Sequence, residues 1–132
     1  MMTEGDLPWL TDLCLRRYSS HYDPPGAEGW FRNTVLKSPI LFYPARTENA
    51  FTITMIACEP WEPSQFTANV VFTCCEDGFM WDTVQLLRDS VDWGRKRRCV
   101  AWRMWSDTDY NVGPLARRVG AAEYLPRYGL RY

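Results

Sequence analysis

The 132-residue chain contains one histidine, His21, and no C-x-x-C pair, so it has no His/Cys cluster with zinc-ligand spacing and no metal site is expected. Its five cysteines, Cys14, Cys58, Cys74, Cys75 and Cys99, are odd in number and read as reduced thiols. Cys74-Cys75 invites a nucleophile reading, but a catalytic thiolate needs a histidine or another cation beside it. The single histidine lies far off in the HYDPPG stretch, so these thiols read as strand-buried and His21 as a surface residue. An excess of one charge is missing too. Fifteen Lys and Arg oppose sixteen Asp and Glu, a net −1, and no global field draws in nucleic acid or an anionic membrane. No stretch approaches the roughly 20 apolar residues of a membrane span. The opening MMTEGDLPWL carries acids and a proline where a secretory signal has a basic start and an apolar run. These absences predict a soluble, cytoplasmic protein with no membrane partner. There is no internal repeat, low-complexity tract or linker, and the length suits one domain over residues 1–132.

What is present is aromatic residues (Trp 7, Tyr 7, Phe 6), large rings that suit a core, a groove or a partner-facing surface. Asp6 before Leu7-Pro8 reads as an N-cap with proline in the first turn, starting a helix that runs to about Tyr18. Leu7, Leu10, Leu13 and Cys14 recur at helical spacing, and Arg16 and Arg17 complement the dipole at its end. HYDPPG then breaks the chain. A second helix is predicted over 27–37, ended by Ser38-Pro39. The run 40–43 and the alternating segment 51–56 read as strands joined through PARTEN in a hairpin. After the proline-rich loop EPWEPSQ, a strand is predicted over 66–75.

From Phe79 to about Arg95 the apolar residues Trp81, Val84, Leu87 and Val91 fall three or four apart, which places them on one side of a helix. The following RCVAWRMW, residues 98–105, reads as a strand, so this part of the chain is a β-α-β unit with parallel strands. A short helix over 114–119, a stop at Gly120 and a broken strand pair over 123–132 complete the chain. The fold class is therefore mixed α/β.

This order resembles the GCN5-related N-acetyltransferase (GNAT) fold, with the usual first strand reduced to a few residues. The tail is similar to the family pattern Asn-x-x-Ala-x-x-Leu-Tyr-x-Lys-x-Gly-Phe, with Asp109 in the Asn place, Leu115 in the Leu, Arg118 in the Lys, Gly120 in the Gly and Ala121 in the Phe. DLPWLTDL looks like the family's first helix. The resemblance implies acetyl-CoA as cofactor and an amine-bearing acceptor, either a small molecule or a protein. It also implies that the loop after the fourth strand wraps a pyrophosphate through a pattern similar to Arg/Gln-x-x-Gly-x-Gly/Ala. Here that loop is Cys75-Glu76-Asp77-Gly78-Phe79-Met80: Gly78 matches, Cys75 and Met80 do not, and two carboxylates stand where anions would bind. The implied cofactor contacts are Cys75, Gly78, Phe79, Met80, Trp81 and Asp109.

For the chemistry, Glu59, Glu62 and Glu76 are the carboxylates expected nearest the strand ends, with Glu76 ranked first as base; each also reads as a solvated loop residue. The family's tyrosine acid would fall at Ala116, so Tyr124, with Tyr110 and Tyr128, is the substitute. The run GRKRR, residues 94–98, reads as a solvated helix end rather than a nucleic-acid contact. The alternative to an enzyme is a GNAT-shaped structural or interaction module with an eroded cofactor loop, as in phage virion-associated proteins, in which case the location is the virion or the host cytoplasm.

Overall fold

The computed structural model describes residues 1–18, 22–104 and 113–121. A short 3-10 turn, Glu4–Asp6, leads into helix α1, Leu7–Arg17, with Pro8 in its first turn where a missing amide costs nothing. Its buried stripe is Leu7, Leu10, Leu13 and Cys14, as the spacing requires. Helix α2, Pro24–Trp30, begins three residues before the predicted start: Pro24 and Pro25 open it instead of ending the preceding segment, because proline's fixed φ is preorganised for a first helical turn. A π-helical turn, Phe31–Val35, continues it and buries Phe31 and Val35.

The sheet has the order β1-β2-β3-β4, made of β1 Phe42–Arg46, β2 Ala50–Cys58, β3 Phe66–Cys75 and β4 Ala101–Met104. β1 lies two to three residues later than the 40–43 run predicted. It accommodates Pro44 because it is the edge strand, where no ladder donor is lost. The Met2 amide donates to the Pro44 carbonyl at 2.9 Å, so the reduced first strand survives as one backbone contact on that edge. The turn between β1 and β2 is capped by the Thr47 hydroxyl, which accepts from the amides of Asn49 and Ala50. β1–β2 and β2–β3 pair antiparallel; β3–β4 pair parallel across helix α3, Met80–Lys96, which is the expected β-α-β unit.

β4 starts at Ala101, three residues after the predicted strand start. Arg98 has φ +60, a left-handed residue that ends α3 and turns the chain back toward the sheet. Helix α4 is Gly113–Arg118, and Gly120 has φ +84, consistent with the predicted stop. The final strand pair predicted over 123–132 lies outside the described residues. Among the described residues no helix is long and apolar enough to cross a membrane.

Two cores flank the sheet. On one face α1 and the π-helical turn pack Leu10, Leu13 and Phe31 against Phe51, Ile53 and Cys74. On the other, Val84 and Leu87 of α3 and Leu115 of α4 pack against Val70 and Met104. Each such buried side chain contributes about 1.5–3 kcal/mol of transfer free energy. Helix α3 approaches β3 so closely at Gly94 that an added Cβ would stand 2.7 Å from Ala68 Cβ. Gly94→Ala therefore tests this packing: helix propensity favours alanine by about 1 kcal/mol, whereas overpacking costs about 1–3 kcal/mol. The expected outcome is a lower melting temperature by circular dichroism; an increase would show that α3 and β3 can separate without cost.

Candidate functional site

β3 and β2 share nine partner pairs, with a register shift between Ile53 and Thr54, where Ile53 faces Phe72, Thr54 faces Val70 and Val71 is left unopposed. This is a β-bulge, and it reverses which face later residues of β3 occupy. Val70 packs under α3, while Phe72 and Cys74 pack under α1. Among the described residues, the parallel pairing joins Thr67–Val70 to Ala101–Met104. Beyond the bulge, residues 72–75 pair with β2, and Val71 is exposed. The carboxyl end of β3 leads into α3, and ligands bind at the carboxyl ends of the strands in open α/β sheets.

This end of the sheet is bordered by the turn from β3 into α3. The Phe79 amide donates to the Glu76 carbonyl at 3.2 Å, closing a four-residue turn whose third residue, Gly78, has φ +82. Among the described residues, the amides of Asp77, Gly78, Met80 and Trp81 donate to no backbone acceptor. They lie at the N-terminal end of a 17-residue helix, where the dipole is positive. Phe79, Met80 and Trp81 are exposed there, and the Arg118 guanidinium stands 4.9 Å over the Trp81 ring, tying α4 to the start of α3.

The loop carboxylates are not bare. Arg16 of α1 grips Glu76 with both terminal nitrogens, at 2.8 and 2.9 Å, and Arg17 pairs with Asp77. The Arg16 hydrogen bond holds the Glu76 carboxyl below its ordinary range, with a smaller contribution from the Trp9 indole. Asp82, in the first turn of α3, accepts from the Thr47 hydroxyl at 2.7 Å and so faces the β1–β2 turn. Arg16 and Arg17 read in the sequence only as dipole complements. What links them to the loop is their adjacency, matched by the adjacency of Glu76 and Asp77 sixty residues on, a signal visible only once α1 and β3 are known to be neighbours.

Of the other candidates, Glu59 and Glu62 sit in the loop before β3, at the far end of a ten-residue strand from Glu76, or about 30 Å away. Glu59 pairs there with Arg103 at 3.4 Å, so the structure separates these two carboxylates from the turn that carries Glu76. Cys75 is buried with Ala45, Ala50 and Leu86. Cys14 and Cys74 lie together in the α1 core, and their shared hydrogen bond, followed by burial, pushes the Cys14 thiol far above its ordinary range, as expected of an unreactive thiol. Asp109, Tyr110, Tyr124, Tyr128 and His21 lie outside the described residues. A tyrosine that the sequence did not single out, Tyr18, reaches β3 beyond the bulge: its hydroxyl donates to the Thr73 carbonyl at 2.8 Å and its ring meets Phe72 edge-on. No group of His, Cys, Asp and Glu able to hold a metal ion occurs among the described residues.

No protein-family model and no curated protein matches the sequence. The structure, by contrast, is similar to solved acetyltransferases over nearly its whole length. A predicted acetyltransferase from Clostridium acetobutylicum, solved with acetyl-CoA, superposes with a TM-score of 0.75 at 12% identity, covering 98% of this chain and 92% of that one. The ribosomal-protein-alanine N-acetyltransferase of Brucella melitensis gives 0.69 at 14% identity, covering 99% and 96%. AAC(6')-Iy in complex with a bisubstrate analog, CoA-S-monomethyl-acetylneamine, gives 0.73 at 14% identity, covering 99% and 94%. The chain has the GNAT fold, a mixed α/β architecture.

The Arg16–Glu76 pair has a pH signature. The folded-state pKa of Glu76 is depressed, so the stability it contributes is present above the carboxylate's unfolded value and is lost as pH falls through the folded one. Arg16→Gln is expected to lower the melting temperature at neutral pH, and the gap from the unsubstituted protein should close below about pH 4. A gap that persists at pH 2 would assign the effect to packing instead.

Proposed function

We propose that this chain is an N-acyltransferase that moves an acetyl group from acetyl-CoA to an amine-bearing acceptor. The observation that carries the reading is the set of amides at Asp77, Gly78, Met80 and Trp81 that donate to no backbone acceptor among the described residues, placed at the positive end of α3 where β3 ends. Such a turn is a fitting cradle for a pyrophosphate, and its donors need no rearrangement. Gly78, Phe79, Met80 and Trp81 are the residues that would hold it, with Cys75 supporting the turn from the core, Arg118 standing over the Trp81 ring and Asp109 a further candidate contact. The fold shared with structures solved with acetyl-CoA or a coenzyme A analogue supports the same reading.

The thioester, when bound, supplies an activated acyl group. A neutral amine adds to its carbonyl carbon, the C–S bond breaks, and the amine loses one proton while the departing thiolate takes one up. A backbone amide of β3 near the bulge would stabilise the tetrahedral oxyanion. Glu76 is the base candidate, ionised at neutral pH by Arg16, but a carboxyl held this low has little proton affinity and works best through a water molecule. Tyr124 is the candidate acid.

A second reading, a GNAT-shaped interaction module, is favoured by the opposite end of the sheet. Ile40 (72% exposed), Leu41, Trp61 (75%), Phe66 and Val100 (62%) all gather at the end where β1, β3 and β4 begin, beside the exposed Arg95 to Arg98 run. Apolar side chains grouped in this way mark contact surfaces. Titration calorimetry with coenzyme A separates the two readings. Saturable binding is expected, together with a loss of at least about tenfold in Gly78→Val, whose side chain cannot adopt φ +82 without strain. Absence of heat at millimolar coenzyme A would remove the enzyme and leave the module.

A further inference from the structure

We propose that Arg16 and Arg17 are positioning residues for the anion-binding turn: they cancel Glu76 and Asp77 so that the turn accepts a phosphorylated ligand that its own carboxylates would repel. The inference rests on the acyl-transfer reading above and explains how this particular loop is compatible with it. The turn carries two adjacent acids immediately before Gly78, and α1 presents two adjacent arginines to them in matching order, Arg16 to Glu76 and Arg17 to Asp77. The Glu76 contact uses both guanidinium nitrogens on both carboxylate oxygens, a planar fork that lysine does not offer. Asp77 is 94% exposed and Arg17 is its one ion-pair partner among the described residues, so without the arginine its charge stands open beside the Gly78 amide. The remaining acids nearby are also engaged: Asp82 with the Thr47 hydroxyl, and Asp12 with Arg16.

Exposed ion pairs contribute little to stability, so fold maintenance is a weak reason for two of them side by side. Their effect on an incoming anion is larger. A bare carboxylate about 7 Å from a phosphate in water weakens binding roughly threefold, and two carboxylates facing two phosphates compound to roughly tenfold or more even with screening. The pairs also connect α1 to the turn, which makes the first helix of the chain part of the ligand site although none of its side chains belongs to the loop pattern.

The test is charge cancellation. Coenzyme A affinity is measured at low ionic strength by titration calorimetry for the unsubstituted protein, for the double variant R16Q/R17Q, and for the quadruple variant R16Q/R17Q/E76Q/D77N, with melting temperatures in parallel. The double variant is expected to bind roughly tenfold more weakly, and the quadruple variant to recover to within about threefold of the starting affinity while keeping the melting temperature of the double. Recovery of affinity without recovery of stability is an outcome that a merely structural pair of arginines would not produce. Undiminished binding by the double variant, or a quadruple variant as weak as the double, overturns the proposal while the acyl-transfer reading stands. No binding by the unsubstituted protein overturns both.

Discussion

β3 has ten residues but gives β2 only nine partners, because Val71 is left out of the ladder. That single unpaired residue is the constraint on which the site depends. Up to Val70, β3 has β2 and β4 on its two sides and packs side chains under α3; past Val71 the alternate residues Phe72 and Cys74 turn toward α1. A bulge increases local twist and disrupts the ladder. The face that the end of β3 offers to α1 is thus a product of strand geometry, with the side chains arranged around it.

The electrostatics of the turn between β3 and α3 follow from what α1 brings to it. A turn with consecutive Glu and Asp is a poor partner for any anion, and a helix N-terminus offers only partial positive charge within its first turn. Arg16 and Arg17 change that balance without touching the backbone donors. The same helix buries Leu10 and Leu13 on its other side, so the hydrophobic stripe that docks α1 also fixes where its arginines point. Core packing and site charge are therefore set by one docking event, and a change in either reaches the other.

Periodicity made much of the architecture legible. Residues 66–75 carry β-branched and aromatic side chains between turn signals, and β3 spans them with the predicted bounds. The spacing of Val84 and Leu87 reports the buried face of α3. The misplaced boundaries have local causes: Pro24 and Pro25 start a helix where prolines also commonly end one, and Arg98 adopts a positive φ where a run of residues such as RCVAWRMW reads as continuous strand. The carboxylates were harder. Glu59, Glu62 and Glu76 are indistinguishable as loop acids in the sequence, yet two lie at one end of β3 and the third at the other.

Over the described residues, the sequence by itself determined the order of the main helices and strands, the parallel β-α-β unit and the glycine at the turn, because these depend on interactions a few residues apart: helical spacing, strand alternation, a left-handed φ. Only the tertiary structure decided the pairings of Arg16 with Glu76 and of Arg17 with Asp77. Those depend on contacts sixty residues apart in the chain, formed when α1 docks on the sheet, and no local pattern of residues encodes which charges will meet.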